Sequence, residues 1–159
     1  MAKSISKVGV DFIKKFEAFI PFVYDDFNPK KEWKGGPVKG TLTIGYGHTK
    51  AAAAKVDMSV GARVTEPEAV KILIEDLAPA ETAVNSAVKV PLTQHQFDAL
   101  VSFKFNTGRL AGTGLLNRIN AKEFDKVPAE FMKWVKSKGK VLKGLKNRRQ
   151  GEIDLWNKP

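Results

Sequence analysis

Glu17 and Asp26 stand nine residues apart in the stretch FEAFIPFVYDD, and their surroundings differ. Glu17 falls in the last turn of a helical pattern. The partial negative charge of the helix C-terminus and the neighbours Phe16, Phe19 and Ile20 both disfavour its ionised form. A carboxyl group that keeps its proton is what a general acid requires. Asp26 lies beyond Pro21, near Asn28, Lys30 and Lys31, where a carboxylate is well tolerated. Two carboxyl groups in opposed environments are the arrangement used to cleave glycosidic bonds. On spacing alone, such a pair is more often two solvated surface charges.

The elements that must position this pair read as an α+β chain. Ser4 is a candidate N-cap for a first helix over 4–20, with Ile5, Val8, Phe12, Phe16 and Phe19 on one face and Pro21 as its stop. Turn signals at Asn28-Pro29, Gly35-Gly36-Pro37 and Gly40 divide short β-prone runs, which predicts a small antiparallel sheet over 21–64. Within it, TLTIGYGHT at 41–49 reads as one strand. Period two puts Thr41, Thr43, Gly45 and Gly47 on a nearly bare face, a shelf with clearance for a chain-like ligand, and Leu42, Ile44, Tyr46 and His48 on a packed one.

A capping box at Thr65 and Glu68 opens a connecting helix over 65–90, with Pro79 expected to interrupt and kink it. A second box at Thr93 and Gln96 opens a helical lobe over 91–159, with helices at 113–121, 122–136 and 143–156. The 159 residues are expected to form a single two-lobed domain and a monomer.

Composition sets outer bounds. There are 27 Lys and Arg against 17 Asp and Glu, a net charge of +10, which favours a polyanionic partner without choosing among nucleic acid, lipid and acidic wall polymer. Cysteine is absent, which excludes disulfides and thiolate metal sites. Two histidines, without carboxylates at ligand spacing, give no metal site, and no cofactor motif is present. The start of the chain carries no signal-peptide pattern, so the expectation is a protein made soluble in the cytoplasm.

FEAFIPFVYDD, TLTIGYGHT, QFDALVSFKFNTG and GLKNRRQGEIDLW occur in that order over residues 7–156. This resembles the phage-type lysozymes, the endolysins of glycoside hydrolase family 24. The resemblance implies a lysozyme-like fold and a catalytic set of Glu17, Asp26 and Thr43. The implied reaction is hydrolysis of the β-1,4 bond between N-acetylmuramic acid and N-acetylglucosamine in peptidoglycan, with Asp26 either holding the attacking water or attacking directly; the resemblance favours inversion. It also implies a host cytoplasmic stage, holin-mediated release, and action on the wall. One departure is the 16-residue link FNPKKEWKGGPVKGTL between Asp26 and Thr43, longer than in many members and expected to lengthen the hairpin.

The resemblance further implies that His48 pairs with Asp76, that Arg148 reaches the catalytic Glu, and that Thr49, Phe105 and Asn106 contact sugar. Trp33, in the longer link, is either a loop aromatic covering the sheet or a sugar-stacking platform. Residues 133–149 carry eight basic side chains and no acid, a solvated face or an attraction for anionic wall or outer-membrane phosphate. No nucleic-acid-binding signature accompanies the charge, so nucleic acid is not expected as a partner. Two rival readings remain at this point: a lytic transglycosylase, and a non-catalytic cationic protein that binds membrane or nucleic acid.

Overall fold

The computed structural model describes residues 2–159, which form two compact units. One comprises Phe12–Pro79, and the other the residues up to Asp11 together with Ala80–Pro159.

The first unit begins within helix α1 (Lys7–Glu17). That helix is shorter than its sequence pattern at both ends. Ser6, rather than Ser4, caps it: Ser6 Oγ accepts from Gly9 N at 3.2 Å, while Ser4 O accepts from the Gln94 side chain at 2.9 Å. The helix stops at Glu17 because Ala18 turns left-handed at φ 41°. Ile20 and Pro21 therefore already belong to strand β1 (Ile20–Asp25).

β1 pairs antiparallel with β2 (Leu42–Gly45), which pairs with β3 (His48–Thr49). Ile20 faces Gly45, then the register shifts before Tyr24 faces Thr43 and Asp25 faces Leu42. Pro21 has no N–H for the ladder, which suits it to such an irregularity. The link over 27–41 folds back on the other edge of β1: Trp33 N donates to Val23 O at 2.8 Å, and Tyr24 bridges Glu32. Glu32 is held in turn by Arg63 at 2.6 Å. The link thus covers an otherwise open strand edge rather than extending the hairpin.

TLTIGYGHT is two strands and a turn, which corrects the single-strand reading. The chain reverses at Gly45-Tyr46-Gly47, with Gly45 at φ 67° and Gly47 at φ 73°, so that Ile44 faces His48 and Thr43 faces Thr49. The bare shelf is not there. Thr43 is buried, and a Cβ on Gly45 would lie 3.3 Å from Ala69 Cβ in helix α2 (Glu66–Ala87). The capping box of that helix is formed: Thr65 N donates to Glu68 Oε1 at 3.0 Å, and Glu68 N to Thr65 Oγ1 at 3.3 Å. Ile13, Val23, Ile44, Ala69, Leu73 and Leu77 form the core of this unit. Helix α2 is continuous through Pro79, where the two units divide.

The second unit contains α3 (Gln94–Thr107), α4 (Gly114–Asn120), α5 (Val127–Phe131) and α6 (Lys143–Trp156). α3 has the predicted Thr93–Gln96 capping box and ends at Gly108 with φ 72°. The helix expected over 122–136 is broken into a 3₁₀ turn at Phe124–Lys126, the short α5, and a hairpin of β4 (Lys136–Ser137) and β5 (Lys140–Val141). Lys138 and Gly139 both take positive φ, 51° and 79°, the geometry of a two-residue hairpin turn. No described helix is long and apolar enough to cross a membrane.

This unit packs around Phe97, Leu100, Phe103, Leu115, Ile119 and Phe131, with Phe103 edge-on to Phe131 and Trp134. A buried ionic cluster crosses it. Arg149 Nε lies 2.6 Å from Glu152 Oε1, and Ser102 Oγ donates to Glu152 Oε2 at 2.6 Å. Burial raises the Glu152 carboxyl above its ordinary range, while Arg149, Ser102 and Arg148 oppose that rise. Removing Arg149 leaves a buried acid short of its closest cation. Arg149→Ala is expected to lower unfolding free energy by about 3–5 kcal/mol in urea titration, whereas the double replacement Arg149→Met with Glu152→Leu recovers much of the loss.

Candidate active site

Two adjacent aspartates stand at the end of β1, Asp25 as its last residue and Asp26 just beyond it, and their hydrogen bonds differ. Asp25 is fully engaged by the link: its Oδ1 accepts from Phe27 N at 3.0 Å and Gly40 N at 2.9 Å, and its Oδ2 from Lys39 N at 2.7 Å. The backbone donors of Phe27 and Lys39, followed by Gly40, hold its carboxyl below the usual range. Asp26 is tied on one side only. Its N–H donates to Thr41 O at 3.0 Å, and its Oδ1 accepts from Thr41 N at 2.7 Å. Its Oδ2 has no hydrogen-bond partner among the described residues, and the side chain is exposed. Gly40 is required by the close approach, since a Cβ there would overlap Asp26 Oδ1.

Glu17 ends α1, half-buried, with its carboxylate against the turn of the β2–β3 hairpin. A Cβ on Gly47 would come within 2.8 Å of Glu17 Oε2. Gly47 therefore makes room for a carboxylate, not for a glycan as the strand reading had it. Thr43, opposite Tyr24, is 5% exposed and donates its hydroxyl proton to Thr41 O at 3.1 Å.

Tyr24, which sequence reasoning passed over, faces Thr43 across β1 and β2. Its phenol is pushed above the ordinary tyrosine range by burial first, then by the charges of Glu17 and Asp26, while a hydrogen bond with Thr43 pulls the other way. In β1, Tyr24 and Asp25 point to opposite faces, and Asp26 follows in a turn.

The remaining sequence candidates fall in both units. His48 Nδ1 lies 2.7 Å from Asp76 Oδ2, and Asp76 Oδ1 accepts from Ala54 N at 2.8 Å. Both side chains are 1% exposed, so this pair ties β3 to α2 from inside the unit. Thr49 is half-buried and, with Thr41, Leu42, Lys50, Val56 and Met58, lines a groove of about 550 Å³. Trp33 lines a smaller pocket of about 240 Å³ beside Asp25 and Asn28, its indole N–H pointing to Gly36 O at 3.4 Å.

In the second unit, Arg148 is buried and its Nη2 lies 3.3 Å from Ser102 Oγ. Phe105 is half-buried, and the Asn106 carbonyl oxygen accepts from Arg149 Nη2 at 2.7 Å. No group of three or more His, Asp or Glu side chains that could hold a metal occurs among the described residues.

Comparison with known proteins identifies the family and the fold. The family model for phage lysozyme matches residues 14–152. An endolysin of Bacillus phage B103 is 38% identical over 96% of this chain. The chain spans about half the length of this relative and of the Bacillus phage PZA endolysin, 54% and 55%. Among solved structures, the muramidase domain of SpmX from Asticaccaulis excentricus superposes with a TM-score of 0.80 at 36% identity, covering 98% of this chain and 99% of that one. A variant of P22 lysozyme gives a TM-score of 0.80 at 31% identity, with 98% and 99% covered. The two-unit α+β architecture is thus lysozyme-like, and the chain belongs to the phage lysozyme family.

Proposed function

We propose that the chain is an endolysin muramidase that hydrolyses the β-1,4 bond between N-acetylmuramic acid and N-acetylglucosamine in bacterial peptidoglycan. The observation that supports it most is Thr43 on β2, with Glu17 against the turn of the same hairpin and Asp26 held at Thr41 just before it, within a chain of this family. Glu17 gives its proton to the leaving oxygen as the glycosidic bond breaks and its electron pair moves to that oxygen. A water oxygen bonds to the anomeric carbon from the opposite face, and its proton passes to the open Oδ2 of Asp26. The product sugar is inverted and has a new reducing end.

The β4–β5 hairpin and the start of α6 supply a second, non-catalytic contact with the wall. Lys136, Lys138, Lys140, Lys143 and Lys146 are exposed, and none forms an ion pair among the described residues. Val141 and Leu142 beside them are 53% and 44% exposed. This surface attracts anionic wall polymer or outer-membrane phosphate. The proposed site of action is the wall, reached from the host cytoplasm after holin-mediated release.

Glu17→Gln is expected to lose about 100-fold or more of wall-clearing rate at unchanged Tm, on purified peptidoglycan. Clearing that survives the substitution would contradict the assignment and favour a non-catalytic membrane disruptor. Mass spectrometry of the digest is expected to find reducing muramic ends; anhydromuramic ends would show transglycosylation instead. Lys138→Glu with Lys140→Glu is expected to raise KM on whole walls and flatten its dependence on salt between about 0.01 and 0.15 M, with little change in kcat.

A further inference from the structure

We propose that Tyr46, Glu66 and Lys14 are positioning residues, which close a ring of contacts that fixes the β2–β3 turn against the Glu17 carboxylate. The inference rests on the muramidase reading above.

The turn itself creates the need. Gly45 and Gly47 both take positive φ, and neither has a side chain to hold its place. Gly45 rests on Ala69 of α2, which leaves the Gly47 end to be held. That end is the one the general acid meets, since a Cβ on Gly47 would lie 2.8 Å from Glu17 Oε2. Glu17 is also the last residue of α1, followed by the left-handed Ala18, so no further turn of helix braces it. Catalytic groups need placement within about 0.5 Å of the working geometry.

Tyr46 is the one side chain that this three-residue turn offers. It is 6% exposed, and its ring centroid lies 5.6 Å from that of Phe19. Its phenol O–H donates to Glu66 Oε1 at 2.9 Å, in the first turn of α2. The same oxygen takes Lys14 Nζ at 2.9 Å, and that ammonium lies 5.6 Å from the centre of the Tyr46 ring. Lys14 stands three residues before Glu17, so the two are neighbours along one side of α1. The circuit is then closed. It runs from Lys14 to Glu66, to Tyr46, along the backbone to Gly47, across to Glu17, and back to Lys14 through the helix. All of these residues belong to the unit Phe12–Pro79.

Such a ring does little for folding. The side chains of Lys14 and Glu66 are 26% and 44% exposed, and part-exposed ion pairs add little stability. What it sets is the gap between the turn and the carboxylate. A closed ring also behaves unlike separate contacts: the first cut opens it, and a second cut changes little more.

The test is a double-mutant cycle of Tyr46→Phe and Lys14→Met, with kcat and KM from reducing ends released on purified peptidoglycan, and Tm alongside. Tyr46→Phe keeps the ring against Phe19 and removes only the O–H. Each variant alone is expected to lower kcat about five- to tenfold, with KM within about twofold and Tm within about 3 °C. The double variant is expected to lose less than about twofold beyond either single one. Glu66→Ala is expected to match those losses, and Glu66→Gln, which keeps an oxygen acceptor for the phenol, to recover to within about threefold of wild type. Unchanged kcat in Tyr46→Phe, losses that multiply in the double variant, a rise in KM in place of the fall in kcat, or Glu66→Gln no better than Glu66→Ala would each overturn the proposal while leaving an active muramidase. A wild-type protein that releases no reducing ends would overturn the muramidase reading and this inference with it.

Discussion

The pairing of Tyr24 with Thr43 across β1 and β2 is the constraint on which the site depends. It exists because the ladder slips once, between Ile20 and Tyr24, around a proline that has no N–H to give. A one-residue change in that slip would move the phenol and the Thr43 hydroxyl to opposite faces of the sheet. The rest of the unit serves to prevent it. The link braces the outer edge of β1 through Trp33 and Glu32, and the His48–Asp76 pair anchors the far end of the hairpin to α2.

The same geometry explains the paired aspartates. One sequence step, from the last residue of β1 into the turn that follows, separates a carboxylate that binds backbone 14 and 15 positions further along the chain from one that is left open toward solvent. Asp25 spends both oxygens on backbone donors, and Asp26 spends one. Gly40 permits this crowding, and Gly47 does the same for Glu17. In both places glycine serves close approach of a carboxylate to the backbone, which is a tighter demand than open space above a sheet.

Much of this was legible in the residues. The two capping boxes, the small antiparallel sheet and the meeting of His48 with Asp76 all follow from local rules or from ordered motifs. What escaped was tertiary. TLTIGYGHT alternates like a strand, and only the positive φ of Gly45 and Gly47 makes it a hairpin. The apolar spacing over 122–136 resembles a helix, but Pro128 stands in the first turn of the short α5, and the chain passes into β4 from Lys136. Tyr24 was unremarkable as one more apolar strand residue, because its importance arises from what lies across the sheet.

The central claim is that the two aspartates have separate tasks, and comparing Asp25→Asn with Asp26→Asn in one assay tests it most directly. The account predicts that Asp26→Asn loses kcat by about 100-fold or more at nearly unchanged Tm, while Asp25→Asn lowers Tm and keeps kcat within about tenfold. The opposite pattern, with activity lost at Asp25 and stability lost at Asp26, would contradict it.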